Sequence, residues 1–113
     1  MKKVELKDTV PYDAAGHFGC TSLRVQHKDT TGSQNFWVGM SHFLPNGGAE
    51  MAAGNFERVY YVISGNVTVI DANGSEINLG PTDSLYIPSG EKRQVMNKTN
   101  LPVTMLVIAS YPK

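Results

Sequence analysis

A single cysteine, Cys20, stands among the 113 residues, so no intrachain disulfide can form. That fits a reducing compartment, and the cytoplasm is the expected location. Charge of one sign is missing as well. Ten Lys and Arg balance ten Asp and Glu, for a formal net charge of zero. No basic excess points to a nucleic acid or an anionic membrane as partner, and the neutrality removes one barrier to self-association. Long apolar runs are lacking: Val103 to Ala109 contains Thr104 and falls far short of the roughly 20 residues a membrane-spanning helix needs. The opening MKKVELKDTV has lysines but no apolar stretch behind them, so it does not read as a secretory signal. No window carries a convincing helical period.

What is present is the composition of a globular chain, 41% hydrophobic and 18% charged. One domain, 1–113, with a single core and room for one small-molecule pocket is expected at this length. Candidate strands recur along it: LRVQH, NFWVGMSHFL, RVYYVI, NVTVI, SEINL, SLYIP, RQVMN and VTMLVIA. Gly, Pro and Asn turns separate them. DANG, Asp71 to Gly74, predicts a hairpin with a type I′ turn. Gly47-Gly48 reads as a turn into the mouth of a barrel. Short strands at such spacing predict an all-β sandwich or barrel of about ten strands.

Between Pro45 and Gly65 runs PNGGAEMAAGNFERVYYVISG, and TDSLYIPSGEKRQVMN follows from Thr82 to Asn97. Together they resemble the two motifs of the cupins, over about 45–97. The first motif is a His-x-His pair, then Glu, then Gly. The second contains Pro-x-Gly-x-x-His-x-x-x-Asn, matched here by Pro88, Gly90 and Asn97. The resemblance implies a cupin-type β-barrel, the jelly roll or double-stranded β-helix, with a pocket at one end, often in a homodimer.

The departures from that pattern are informative. Counted back from Gly65, the glutamate position falls on Arg58 and the histidine positions on Ala52 and Gly54. Counted forward from Gly90, the third histidine position falls on Arg93, and Thr82 stands where the second motif usually begins with glycine. Arginine has no lone pair to offer a metal, and the usual sites need imidazole, carboxylate or thiolate. No metal cofactor is therefore expected. A shift of the loop could bring in Glu50, Asn55 or Glu57, none of which supplies imidazole.

Alternation puts Arg58, Tyr60 and Val62 on one side of their strand, and Arg93, Val95 and Asn97 on one side of theirs. The motif positions imply that these sides face the barrel interior. Two buried guanidinium groups need negative charge nearby. It could come from Glu50, Glu57 or Asp83, or from a bound carboxylate or phosphate gripped by guanidinium forks. The leading expectation is a metal-independent binder of a small anionic metabolite, with Arg58 and Arg93 as anchors, Tyr60 as a hydroxyl contact and Trp37 as a stacking wall. The alternative is an isomerase or lyase on the same pocket, with His42, Tyr60 or Tyr86 as acid or base. A third reading is an unconventional metal enzyme using His42 with Glu50 or Glu57. His27 reads as surface, His17 and Cys20 as no site. Met40, Met51, Met96 and Met105 read as core filler.

Overall fold

In the computed structural model, residues 1–112 are described. They form nine strands: β1 Pro11–Tyr12, β2 His17–Gln26, β3 Phe36–Ala52, β4 Arg58–Ser64, β5 Val67–Asp71, β6 Glu76–Leu79, β7 Ser84–Ile87, β8 Arg93–Met96 and β9 Val103–Ser110. The helical content of the described residues is one 3₁₀ turn, Leu6–Asp8, and no helix is long and apolar enough to cross a membrane. All pairings are antiparallel, and the strand order is β6-β5-β8-β3-β9-β4-β7, with β2 also on β3 and β1 on β2. This is the expected all-β barrel of jelly-roll type.

The strand that joins its two parts is β3. Its first half, Phe36 to Phe43, pairs with β9, and its second half, Gly48 to Ala52, pairs with β8. Asn46, at φ 67°, marks the bend between the halves. The expected turn at Gly47-Gly48 is instead continuous strand. The glycines are there because a Cβ on Gly47 would collide with the backbone of Gly19, and one on Gly48 with the carbonyl of Val95. Close backbone approach, rather than turning, is what they provide.

The loop between β5 and β6 also differs from expectation. Only Gly74 has positive φ there (81°), whereas a type I′ turn needs it at both central residues. The Asp71 carboxylate accepts N–H bonds from Asn73 and Ser75 at 2.9 Å each, which holds the tighter right-handed turn.

The core gathers inward side chains of the curled sheet: Phe43, Tyr60, Val62, Val67, Val69, Leu79, Ile87, Val95, Val103 and Met105. Of the four methionines expected there, only Met105 is fully buried; Met51 is exposed, and Met40 and Met96 are half-buried. Asn97 is completely buried. Its amide donates to the carbonyls of Phe43 (3.2 Å) and Leu101 (2.8 Å), while its oxygen accepts the Thr99 N–H (3.0 Å). That asparagine ties the β8–β9 loop to β3.

Candidate functional site

Inside the open end of the barrel lies a cavity of about 640 Å³, within the range of small-molecule sites. Its lining comes from β1, β2, β3, β4, β8 and β9, from the β1–β2, β2–β3 and β3–β4 loops and from the segment after β9. The position of each residue follows from strand alternation. In register across three strands, Trp37, Ala109 and Arg58 form one inward row, and Gly39, Val107 and Tyr60 the next. Trp37, Arg58, Tyr60 and Arg93 all line the cavity.

Arg93, 6% exposed, donates from Nε to the Tyr60 hydroxyl at 2.7 Å and from Nη1 to the Glu50 carbonyl at 3.2 Å. The first bond spans β8 and β4 and occupies a lone pair of Tyr60, leaving the phenol proton free to be donated. Arg58 is 7% exposed; its Nε is sealed from solvent and has no hydrogen-bond partner among the described residues, while the guanidinium lies beside the Tyr60 hydroxyl, a hydrogen-bonding neighbour. Its guanidinium carbon sits 4.6 Å from the centre of the Phe56 ring, a cation–π contact. Burial pulls its pKa below the ordinary arginine value, the Tyr60 hydroxyl opposes that, and the like charge of Arg93 adds to it. It remains a cation at neutral pH.

Among the described residues, no carboxylate forms an ion pair with either arginine. Of the three acids expected to compensate them, Glu57 accepts from Tyr86, and Asp83 accepts the Gly80 N–H. Glu50 has an exposed side chain and reaches Arg93 only through its backbone carbonyl. The whole lining carries four cations, Arg24, Lys28, Arg58 and Arg93, against two carboxylates, Asp13 and Asp29.

The residues at the family's ligand positions do not fit a divalent metal. Ala52, Gly54, Arg58 and Arg93 offer no donor atom, and among the described residues no three His, Cys, Asp or Glu side chains gather where one ion could be shared. Gly54 shows why the substitutions go together. A Cβ there would lie 2.9 Å from Arg58 Nη2 and 2.6 Å from Phe56 Cε1. The Arg58 side chain and its aromatic support take up the space that a larger residue at position 54 would need.

Two sequence candidates lie elsewhere. His42 has Ser41 and Phe43 as neighbours facing inward, so alternation turns it outward, where its Nδ1 lies 3.1 Å from Thr104 Oγ1. Tyr86 is 56% exposed and donates to Glu57 at 3.1 Å. Neither borders the cavity. Two histidines given no role by the sequence reading do border it. His27 is buried, its ring meeting those of Trp37 and Tyr111 edge-on, each at 5.7 Å between centroids. Its Nδ1 accepts the Asp29 N–H (3.1 Å), so the neutral ring carries its proton on Nε2. His17, half-buried, stacks on Phe43 at 6.4 Å. Burial lowers the pKa of both. The available signal was alternation: His17, Gly19 and Thr21 fall on one parity, but β-bulges between Phe18 and Cys20 and between Arg24 and Gln26 break it. Cys20 is half-buried, and burial pushes its thiol pKa up, so it is a poor nucleophile.

Comparison with known proteins places these features in a family. The sequence profile described as a cupin domain matches residues 39–109. A protein of Mycobacterium tuberculosis named beta-D-galactosidase is 33% identical over 99% of this chain and 96% of its own length. Among solved structures, the polyketide cyclase RemF of Streptomyces resistomycificus superposes with a TM-score of 0.87 at 22% identity, covering 97% of this chain and 79% of that one. A sugar phosphate isomerase of the cupin superfamily from Silicibacter pomeroyi gives 0.78 at 24% identity, over 97% and 76%.

Proposed function

Because the chain belongs to the cupin family, whose barrel hosts many chemistries, we propose its function from the site: it binds a small anionic metabolite, a carboxylate or phosphate, between Arg58 and Arg93, with no divalent metal. One observation carries this. Arg58 is a buried cation that meets no carboxylate and whose Nε has no partner. An uncompensated buried charge costs several kcal/mol, and an anion bound bidentately by the guanidinium would offset that cost. Tyr60, with its proton free, is a third contact, and Trp37 offers an apolar wall. The donor set at the family's ligand positions supports the metal-free reading.

The protein is further read as a homodimer of the cytoplasm. The outward face of β3, β9 and β4 carries Met40, Leu106 and Tyr61 in one row and Val38, Ile108 and Val59 in the next. An apolar outward sheet face on a chain of zero net charge suits a second copy of itself. The unpaired Cys20 fits a reducing compartment.

The test is calorimetric titration of the wild-type protein with a panel of anions: malate, citrate, 2-oxobutyrate, phosphoenolpyruvate and glucose 6-phosphate. Binding of at least one supports the reading, and binding of none refutes it. The relative named beta-D-galactosidase favours a second reading, a neutral β-galactoside stacked on Trp37. Hydrolysis of galactosides ordinarily uses two carboxylates, and on this lining they would be Asp13 and Asp29, both on exposed loop positions. Turnover of nitrophenyl β-galactoside that Asp13→Asn or Asp29→Asn abolishes would establish it.

A further inference from the structure

We infer that His17 is a proton-transfer base, and that the anion held in this cavity is a substrate with a carbonyl group beside a hydroxyl-bearing carbon, which the protein isomerises. The inference rests on the anion-binding reading above and extends it to chemistry. Its first support is the tautomer. His17 Nδ1 lies 3.0 Å from the Ala15 carbonyl oxygen. A carbonyl can only accept, so Nδ1 carries the proton, and in the neutral ring Nε2 holds a bare lone pair. No protein group among the described residues hydrogen-bonds that nitrogen.

The second support is how the ring is held. His17 begins β2, paired with Ala49 of β3, and lies nearly parallel to the Phe43 ring, 14° apart. Backbone bond and aromatic stacking fix the imidazole within the same cavity as Arg58, Arg93 and Tyr60. The third support is the surrounding charge. Burial lowers the His17 pKa most, the Ala15 carbonyl opposes this, and Arg93 and then Arg58 lower it further. Those arginines, on β8 and β4, are the cations acting on the ring. Glu50 of β3, beside its pairing partner, is exposed to water. The base is therefore neutral at physiological pH, which a base that must accept a proton requires.

The step balances without an oxidant or a metal. Nε2 takes a proton from the carbon next to the substrate carbonyl. The C–H bond breaks, an N–H bond forms, and the electron pair moves onto the carbonyl oxygen as an enolate. Arg58, Arg93 and the Tyr60 hydroxyl are donors suited to that oxyanion. Where the deprotonated carbon bears a hydroxyl, that O–H proton passes to the enolate oxygen by way of the Tyr60 hydroxyl, and return of the abstracted proton from Nε2 to the former carbonyl carbon leaves the carbonyl on its neighbour and gives the isomer.

Two readouts on one sample test this. The panel is dihydroxyacetone phosphate, glucose 6-phosphate and glucuronate, each with a hydroxyl beside its open-chain carbonyl. Binding is followed by calorimetry, and loss of the proton next to the carbonyl by NMR in deuterium oxide. The expected result is protein-catalysed exchange for at least one bound probe, slowed 100-fold or more in His17→Gln and His17→Asn with binding little changed. The wild-type rate should be flat near pH 7 and fall as the pH drops below the ordinary histidine range, a limb the variants lack. Binding without exchange, or exchange that survives both folded variants, overturns the assignment of His17 while leaving the anion pocket standing. Absence of binding across this panel overturns the assignment of the substrate, and absence across the malate, citrate and phosphoenolpyruvate panel as well overturns the anion pocket too.

Discussion

At the residue scale, the buried histidines make a prediction separate from binding. The His27 pKa is lowered from its ordinary 6.5 by burial first, with Arg24 and Lys28 adding to that and Asp29 opposing it. Protonating Nδ1 would also displace the Asp29 N–H. As pH falls through about 6.5, the unfolded chain takes up a proton that the folded chain resists, so stability is lost in that direction. His17 acts with the same sign. Melting temperature should fall between pH 7 and pH 5.5, and His27→Gln should flatten the fall. An unchanged slope in that variant would contradict the assignment. The inward side chains of β4 and β8 were legible in the sequence, since alternation and the Pro88-x-Gly90 spacing put Arg58 and Arg93 inside. The missing carboxylate was not legible: only the folded chain shows that Glu57, Asp83 and the Glu50 side chain are engaged or exposed elsewhere.

At the scale of elements, the strands were legible where polar and apolar residues alternate, and misread where glycine had a second explanation. Gly47-Gly48 looked like a turn because a sequence cannot show the backbones of Gly19 and Val95 pressing against it. His42 is the histidine nearest the motif, yet its parity with Met40 sends it outward, and register shifts in β2 hid the inward course of His17. Thr82 is a departure whose cost can be measured. It stands where the family usually has glycine and holds φ 72° in the Gly80–Asp83 turn, its N–H bonded to the Val62 carbonyl at 2.8 Å. A β-branched residue in that region is strained by about 1–2 kcal/mol. Glycine gives part of the relief back through the greater freedom of the unfolded chain. Thr82→Gly should therefore stabilise by about 0.5–1 kcal/mol in urea denaturation. A loss of stability would mean that the threonine side chain makes a contact worth more than the strain.

For the whole molecule, the jelly roll was readable from strand spacing, and the family from the two motifs. Assembly and ligand depend on surfaces that only the folded chain displays. If the outward face of β3, β9 and β4 joins two copies, light scattering should give twice the monomer mass of 12.3 kDa. Met40→Lys, charging the middle of that face, should return it to the monomer. A wild-type protein that is monomeric at micromolar concentration would contradict this. The cavity and that outward face lie on opposite sides of the same strands, since residues of β3 alternate between them. A substitution on one face is thus expected to leave the other working.

The central claim is that Arg58 is kept as an uncompensated buried cation for the sake of an anion. Its most direct test is a side-by-side titration and thermal melt of the wild type and Arg58→Met with the same panel of carboxylates and phosphates. Replacing a buried charge by an apolar side chain of similar length removes its desolvation cost, while a charged hydrogen bond contributes about 1.5–3 kcal/mol to binding. The variant should melt at a higher temperature than the ligand-free wild type and bind the anion roughly 10- to 100-fold more weakly. A variant that melts lower and binds as well as the wild type would show that Arg58 serves the fold rather than a ligand.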